Sequence, residues 1–221
     1  MTFLKSLWQN LPQLNQWPAA KASTALFTDI DGTLCDIQAE PSKVTVPKAI
    51  KSSLAALTKQ MPLVAVITGR STKEAKMLLG LKDVYYLGAY GEGLITSLER
   101  QRLQQQVSKA KAVLAKAVDP VSGITLEEKG LLLTVHWRHC QEEKDVKFIQ
   151  KQVLSLAKQY ELSFSLGKKI FELKPKQLSK EAAIISLAKK YALKKIIFIG
   201  DDLADAQAFH YLTKLRQEKL I

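Results

Sequence analysis

Cysteine is nearly absent from this chain: Cys35 and Cys140 are the only two in 221 residues. Both sit in apolar or strand-like contexts. A disulfide-stapled secreted scaffold is excluded, and reduced thiols in a cytoplasmic protein are expected. No apolar run approaches the roughly 20 residues of a membrane-spanning helix. From Met1 to Trp17, Leu and Trp recur at helical spacing, but Gln9, Asn10, Pro12 and Asn15 interrupt them and there is no small-residue cleavage site. A short amphipathic helix packed on the body is expected there, not a signal peptide. Aromatic residues make up 7% and there is no arginine-rich cluster, so the stacking platform of a nucleic-acid binder is missing. Acidic residues are outnumbered 21 to 33, for a net charge of +12. The lysines are scattered along helix faces, as at Lys109, Lys111, Lys116, Lys189 and Lys190. A solvated surface and a small anionic substrate account for that charge; neither nucleic acid nor membrane is expected as a partner.

What is present is a hydrophobic content of 47%, enough for a real core, and a set of apolar runs that end in polar groups. Ala25, Leu26 and Phe27 read as a buried strand that Gly32 and Thr33 break into a loop. Asp29 and Asp31 stand two apart, so they leave the strand on the same side. One carboxylate can serve as nucleophile and the other as general acid and base. For Asp31 and Thr33 alone, a helix cap or Asx turn is the alternative. Two crowded carboxylates at the carboxyl edge of a sheet are costly without a cation, and Mg2+ suits such oxygen donors. A second run, Leu63 to Ile67, ends in Thr68-Gly69-Arg70. Thr68 can donate to a phosphoryl oxygen and Gly69 lets backbone approach closely; Arg70 binds phosphate or caps a loop. Ser179 reads as a helix N-cap. Lys180 then falls in the first turn, where the macrodipole favours anions: it is a solvated lysine in a lysine-rich stretch or it has a charge to balance. A third run, Ile196 to Ile199, ends in Gly200-Asp201-Asp202. Asp205 follows inside the next helix, either near a cation or as an ordinary acidic helix start.

Strands are expected near 24–30, 62–68 and 84–88, alternating with helices near 47–60 and 72–79. That is an α/β chain with a doubly wound, Rossmann-like parallel sheet. The rhythm changes between 97 and 174: a helix near 100–118, strands near 123–129 and 131–138, a helix near 142–160 and a strand near 169–174. An inserted small α+β cap domain at 97–174 is expected, with 1–96 and 175–221 as the core domain. Along Leu131–His139, Leu131, Leu133, Val135 and Trp137 share one face and Thr134, His136 and Arg138 the other. Glu127 and Lys129 share a face, and Glu172 opposes Phe171 and Leu173. The polar faces then form one open surface carrying Glu127, Lys129, His136, Arg138 and Glu172. Its pattern fits a polyhydroxylated anion and fits the solvated side of an ordinary antiparallel sheet equally well.

The segment Asp29-Ile30-Asp31-Gly32-Thr33 resembles the D-x-D-G-T signature of haloacid-dehalogenase-like phosphatases, and Thr68, Lys180 and Gly200-Asp201-Asp202 follow in that family's order. The resemblance implies that Asp29 attacks phosphorus and forms an aspartyl-phosphate, that Asp31 is the acid and base, that Thr68 holds the phosphoryl group and that Lys180 balances charge. It implies Mg2+ on Asp29, the Asp31 carbonyl and Asp201, with Asp202 supporting the site. Glu127-Glu128-Lys129, His136-Trp137-Arg138 and Phe171-Glu172-Leu173-Lys174-Pro175 resemble the cap motifs of trehalose-6-phosphate phosphatases. By that likeness Lys129, Arg138 and Glu172 grip the sugar with His136 nearby; Gly69 and Arg70, beside Thr68, are the candidate substrate-binding residues of the second run. Ala204 and Ala206 depart from the Thr and Glu usual in that family, and Tyr90 from its His. Relatives also continue past the Asp201 helix into a further strand, whereas this sequence stops at Ile221, so Ile196–Ile199 is expected either at an unpaired sheet edge or covered by a partner chain or the N-terminal helix. Three functions follow: trehalose-6-phosphate phosphatase, a phosphatase for another sugar phosphate such as sucrose phosphate or mannosyl-3-phosphoglycerate, or a sugar-phosphate-binding relative without turnover.

Overall fold

The computed structural model describes residues 24–38, 40 and 43–217. The helix expected between Met1 and Trp17 lies outside these. The elements in chain order are β1 (Thr24–Thr28), α1 (Lys48–Thr58), β2 (Leu63–Ile67), α2 (Thr72–Leu79), β3 (Tyr85–Leu87), a 3-10 turn (Glu92–Leu94), α3 (Ser97–Val118), β4 (Thr125–Lys129), β5 (Leu132–His136), α4 (Glu143–Gln159), β6 (Leu162–Gly167), β7 (Ile170–Pro175), α5 (Lys180–Lys190), β8 (Lys195–Ile199) and α6 (Leu203–Gln217). The chain divides into two compact units. One holds the described residues up to Val66, Lys76–Tyr86 and those from Ile184 on; the other holds Ile67–Ala75 and Leu87–Ala183.

The first sheet runs β3-β2-β1-β8. Strand β1 pairs in parallel with β2 on one side and β8 on the other. Every residue of β1 and β2 is buried, as expected of strands covered on both faces and of near-continuous apolar sequence. Chain order reverses beside β1: β2 and β3 extend the sheet one way and β8 the other. A doubly wound sheet opens a ligand crevice at such a switch point, outside the strands' carboxyl ends. Among the described strands β8 lies at one edge of this sheet and β3 at the other.

The second sheet is antiparallel, ordered β4-β5-β7-β6. Helix α3 begins at Ser97, three residues before the expected start, because the Thr96 side chain caps it by accepting from Glu99 N at 3.2 Å. Its buried residues, Leu103, Val107, Ala110, Leu114 and Val118, recur at helical spacing. They join Ile149, Val153 and Leu156 of α4, and Leu133, Val135, Phe171 and Leu173 of the sheet, in one core.

Two expectations are corrected. Leu162–Gly167 is a strand, paired to β7 in a hairpin whose last partners are Gly167 and Ile170. The intervening Lys168-Lys169 carries no glycine or asparagine to signal a tight turn, although Lys169 takes a left-handed φ of 64°. And β5 stops at His136, not at 138: Arg138 is exposed in the turn that follows, closed by Cys140 N donating to Trp137 O at 3.2 Å.

Candidate active site

In the first unit, parallel pairing carries β1 and β8 to the same edge, where Asp29 N still donates to Ile199 O at 3.0 Å. Both chains then turn. Gly32 takes a φ of 85°, and a side chain there would run into the Asp201 carboxylate. Glycine is thus required for the backbone conformation and for the approach. Thr33 Oγ1 donates to Asp201 Oδ1 at 3.0 Å, tying the two loops together. Gly200 is required for space alone, because a Cβ would overlap the carboxylate of Asp205. That carboxylate turns back to accept from Asp201 N and Asp202 N, both at 3.1 Å, while Asp202 Oδ1 accepts from Asp205 N at 2.7 Å. The reciprocal pair starts α6 as a capping box does.

Carboxylate oxygens of Asp29, Asp201 and Asp205 consequently lie within 4.8 Å of one another, with Asp29 and Asp205 buried and Asp201 exposed. Three like charges this close are unfavourable alone, and a divalent cation removes the penalty. An all-oxygen donor set is what a hard cation prefers, so these residues fit one. Asp31 is half-buried in the same loop, whose turn is closed by Gly32 N donating to Cys35 O at 2.9 Å. The Asp202 carboxylate is engaged in capping α6; Asp205, which sequence allowed as a mere helix start, is the third member of the cluster.

In the second unit, Thr68 is 1% exposed. Its N–H donates to Leu87 O and its carbonyl accepts from Tyr90 N, both at 3.0 Å. Thr68 Oγ1 also accepts from Arg70 N at 3.2 Å, so the Thr68-Gly69-Arg70 loop is fixed by its own hydroxyl and by the 88–90 turn. Just beyond it Ser71 and Glu74 cap α2 reciprocally: Ser71 N donates to Glu74 Oε2 at 2.9 Å and Glu74 N to Ser71 Oγ at 3.2 Å. Burial pushes the Glu74 carboxyl up, but the Ser71 bonds and the charges of Lys129 and Arg70 hold it below its ordinary range. Lys180 opens α5 behind Ser179, whose Oγ accepts from Ala182 N at 3.1 Å. The lysine is 1% exposed, which rules out a solvated surface lysine.

Strand register sets the polar face of the second sheet. Glu127 pairs with Thr134, Thr134 with Glu172, and Glu172 with Ser165, one row across all four strands. Glu127 Oε1 is 3.1 Å from Lys129 Nζ and its Oε2 is 2.8 Å from His136 Nε2. Burial raises the Glu127 carboxyl, yet these two partners more than offset it and the group stays below its ordinary range. Glu172 Oε2 accepts from Tyr90 Oη at 2.9 Å and from Ser165 Oγ at 3.2 Å. The face is less open than its pattern suggested, since Tyr90 covers part of it. Arg138, past the end of β5, is not in the row. Ser165 went unread with β6, although its signal was present: Leu162, Phe164 and Leu166 alternate with serines.

The trehalose-phosphatase family model matches residues 27–221. Trehalose-6-phosphate phosphatase of Escherichia coli K12 is 27% identical over 91% of this chain and 78% of that protein. The Oryza sativa subsp. japonica protein named probable trehalose-phosphate phosphatase 4 is also 27% identical, over 87% of this chain and 56% of its own length. The chain therefore spans little more than half of the rice relative. The C-terminal domain of Candida albicans trehalose-6-phosphate phosphatase shares the fold, with a TM-score of 0.77 at 20% identity over 95% of this chain and 80% of that one. The Asp29 loop and the Gly200 turn both fall within one continuous family match, and on that match the chain belongs to the trehalose-phosphatase family.

Proposed function

We propose that this chain hydrolyses trehalose 6-phosphate to trehalose and phosphate, as a Mg2+-dependent phosphoric monoester hydrolase. The observation that carries the reading is the convergence of Asp29, Asp201 and Asp205 at the β1–β8 switch point, in a chain of this family. Asp29, the Asp31 carbonyl and Asp201 would hold Mg2+, with Asp202 and Asp205 supporting them, and the ion would supply positive charge against the phosphoryl oxygens.

A carboxylate oxygen of Asp29 forms a bond to phosphorus as the bond from phosphorus to the sugar oxygen breaks. Asp31 gives its proton to that departing oxygen, releasing trehalose. The Asp31 carboxylate then takes a proton from water, whose oxygen attacks phosphorus. The bond between Asp29 and phosphorus breaks, phosphate leaves and Asp29 is restored. Thr68 donates to a phosphoryl oxygen and the Lys180 ammonium balances its charge, where burial strengthens the interaction. Gly69 and Arg70 serve the phosphate end. Residues 97–174 choose the sugar, through Lys129, His136, Arg138 and Glu172. The substrate is a small molecule met in the cytoplasm, in keeping with two cysteines that form no disulfide.

The test is phosphate release from trehalose 6-phosphate, with Mg2+ and with chelator, beside sucrose phosphate and mannosyl-3-phosphoglycerate. Metal-dependent release from trehalose 6-phosphate in preference to the others is expected. Asp29→Asn should lower it by a thousandfold or more, on the order of losses seen when a catalytic nucleophile is removed. Preference for another ester would reassign the substrate. Binding without release, in folded protein, would make the chain a sugar-phosphate-binding relative.

A further inference from the structure

Tyr90 has no role in the chemistry above, yet it joins two of its parts. Its N–H donates to Thr68 O at 3.0 Å and that of Ala89 to Arg70 O at 2.8 Å. Its side chain lies over Gly69, where a Cβ would stand 2.8 Å from Tyr90 Oη and 3.0 Å from Cζ. The hydroxyl then reaches Glu172 Oε2 at 2.9 Å, and Lys174 Nζ lies 3.1 Å from the ring centroid. Tyr90 is 7% exposed. Ala89 and Tyr90 both take left-handed backbone, with φ of 46° and 56°. Residues with a Cβ adopt that region at a cost and keep it where the surroundings over-determine it. Here the surroundings are the Thr68–Arg70 loop on one side and β7 on the other.

We propose that Tyr90 is a positioning residue for substrate selection: it orients the Glu172 carboxylate toward the sugar and sets that carboxylate's spacing from the Thr68–Arg70 loop. The inference rests on the sugar-phosphate reading above. Both donors to Glu172, Tyr90 Oη and Ser165 Oγ, converge on Oε2. Among the described residues none donates to Oε1, which is the oxygen left to accept from a ligand hydroxyl. A carboxylate already held in one rotamer loses little freedom when the ligand arrives. Because the same tyrosine rests on Gly69, the phosphoryl end and the hydroxyl-binding end are spaced by one rigid side chain. An ester with no hydroxyl at that spacing gains nothing from the arrangement.

The experiment compares wild type, Tyr90→Phe, Glu172→Ala and the double variant on trehalose 6-phosphate and on p-nitrophenyl phosphate. Phenylalanine keeps the ring, the backbone conformation and the Lys174 contact, and removes only the hydroxyl. KM for trehalose 6-phosphate should rise about tenfold, the size of a hydrogen bond to a charged group, with kcat within about threefold. KM for the aryl ester should change far less, and Tyr90→Phe should add less than about twofold in the Glu172→Ala background, because the two act through one contact. Equal losses on both esters, additive effects, or an unchanged KM for trehalose 6-phosphate would overturn the positioning role while leaving the proposed reaction standing. Wild-type protein that releases no phosphate from trehalose 6-phosphate refutes the substrate reading and the positioning role with it. If Tyr90→Phe does not fold, Ser165→Ala removes the other donor to Oε2 and should give the same selective rise in KM, smaller in size; no selectivity there overturns the proposal.

Discussion

Replacing Gly200 with alanine tests whether the buried Asp205 carboxylate organises the end of β8. A Cβ built at Gly200 falls 2.5 Å from Asp205 Oδ2 and nearer still to Cγ, against an ordinary contact of 3.4 Å. The carboxylate must retreat by roughly 1 Å, too far to keep the 3.1 Å bonds from Asp201 N and Asp202 N. A hydrogen bond to a charged acceptor contributes at least about 1.5 kcal/mol, so two amount to about 3 kcal/mol. Gly200 does not have a left-handed φ, so alanine is unstrained there and recovers about 0.5 kcal/mol through the unfolded chain. The net loss of about 2.5 kcal/mol should lower the melting temperature by about 5–10 °C for a chain of this size. Gly32→Ala is the contrast. Its Cβ falls 2.7 Å from Oδ1 of Asp201, an exposed side chain that can swing aside, so the stability cost is the left-handed backbone, about 1–2 kcal/mol. Swinging Asp201 away from Asp29 should nonetheless abolish the rise in melting temperature expected of wild type with Mg2+. Calorimetric melts with saturating Mg2+ and with chelator read both effects. A Gly200→Ala protein within about 2 °C of wild type would refute the part given to Asp205. Full Mg2+ stabilisation in both variants would refute the cation site itself.

Glu127→Gln should destabilise the protein at neutral pH and progressively less in acid. The folded-state carboxyl lies below its ordinary value of 4.5, so its contribution is fully present above that value and is lost as pH falls through the folded one; a difference in melting temperature that stays constant from pH 7 to 3 would refute this. Phe171→Ala removes a ring 2% exposed and stacked on Trp137 at 5.6 Å between centroids, and should cost about 3–5 kcal/mol in urea unfolding; a cost under about 1.5 kcal/mol would mean the core collapses to fill the gap. Ser179→Ala should cost about 1 kcal/mol through the lost cap and also slow phosphate release, since Lys180 is the next residue; unchanged turnover would uncouple the cap from the lysine's placement.

The parts of the fold legible in the sequence are those fixed by neighbours along the chain. The alternation from β1 to β3, the Ser179 cap and the apolar runs ending at Asp29 and Asp201 each need only a few consecutive residues to declare themselves. Lys180 was half legible: its conflict with the helix dipole marked it, but its burial depends on packing. Asp205 was also half legible: its sequence position allowed a cation neighbour or an acidic helix start, and the choice rests on a carboxylate that turns back only where Gly200 lacks a Cβ. Strand β6 was missed for want of a turn signal at Lys168-Lys169, not for want of alternation.

The contact between Tyr90 and Glu172 spans 82 residues of chain, and sequence registers Tyr90 only as a departure. The carboxylate it meets is also held from the missed strand. Pairing of β6 with β7 sets Ser165 against Glu172 and Phe164 against Leu173. A slip of one residue would turn Ser165 to the core and Phe164 or Leu166 onto the row with Glu172. The apolar side of β6 therefore fixes the polar side: burying Leu162 and packing Phe164 6.1 Å from Phe171 holds the serine hydroxyl on the carboxylate that Tyr90 also grips. Selectivity for the sugar should for this reason be sensitive to core substitutions in β6 that touch no ligand, and Phe164→Ser, which erases the alternation, should raise KM for trehalose 6-phosphate more than it raises KM for p-nitrophenyl phosphate.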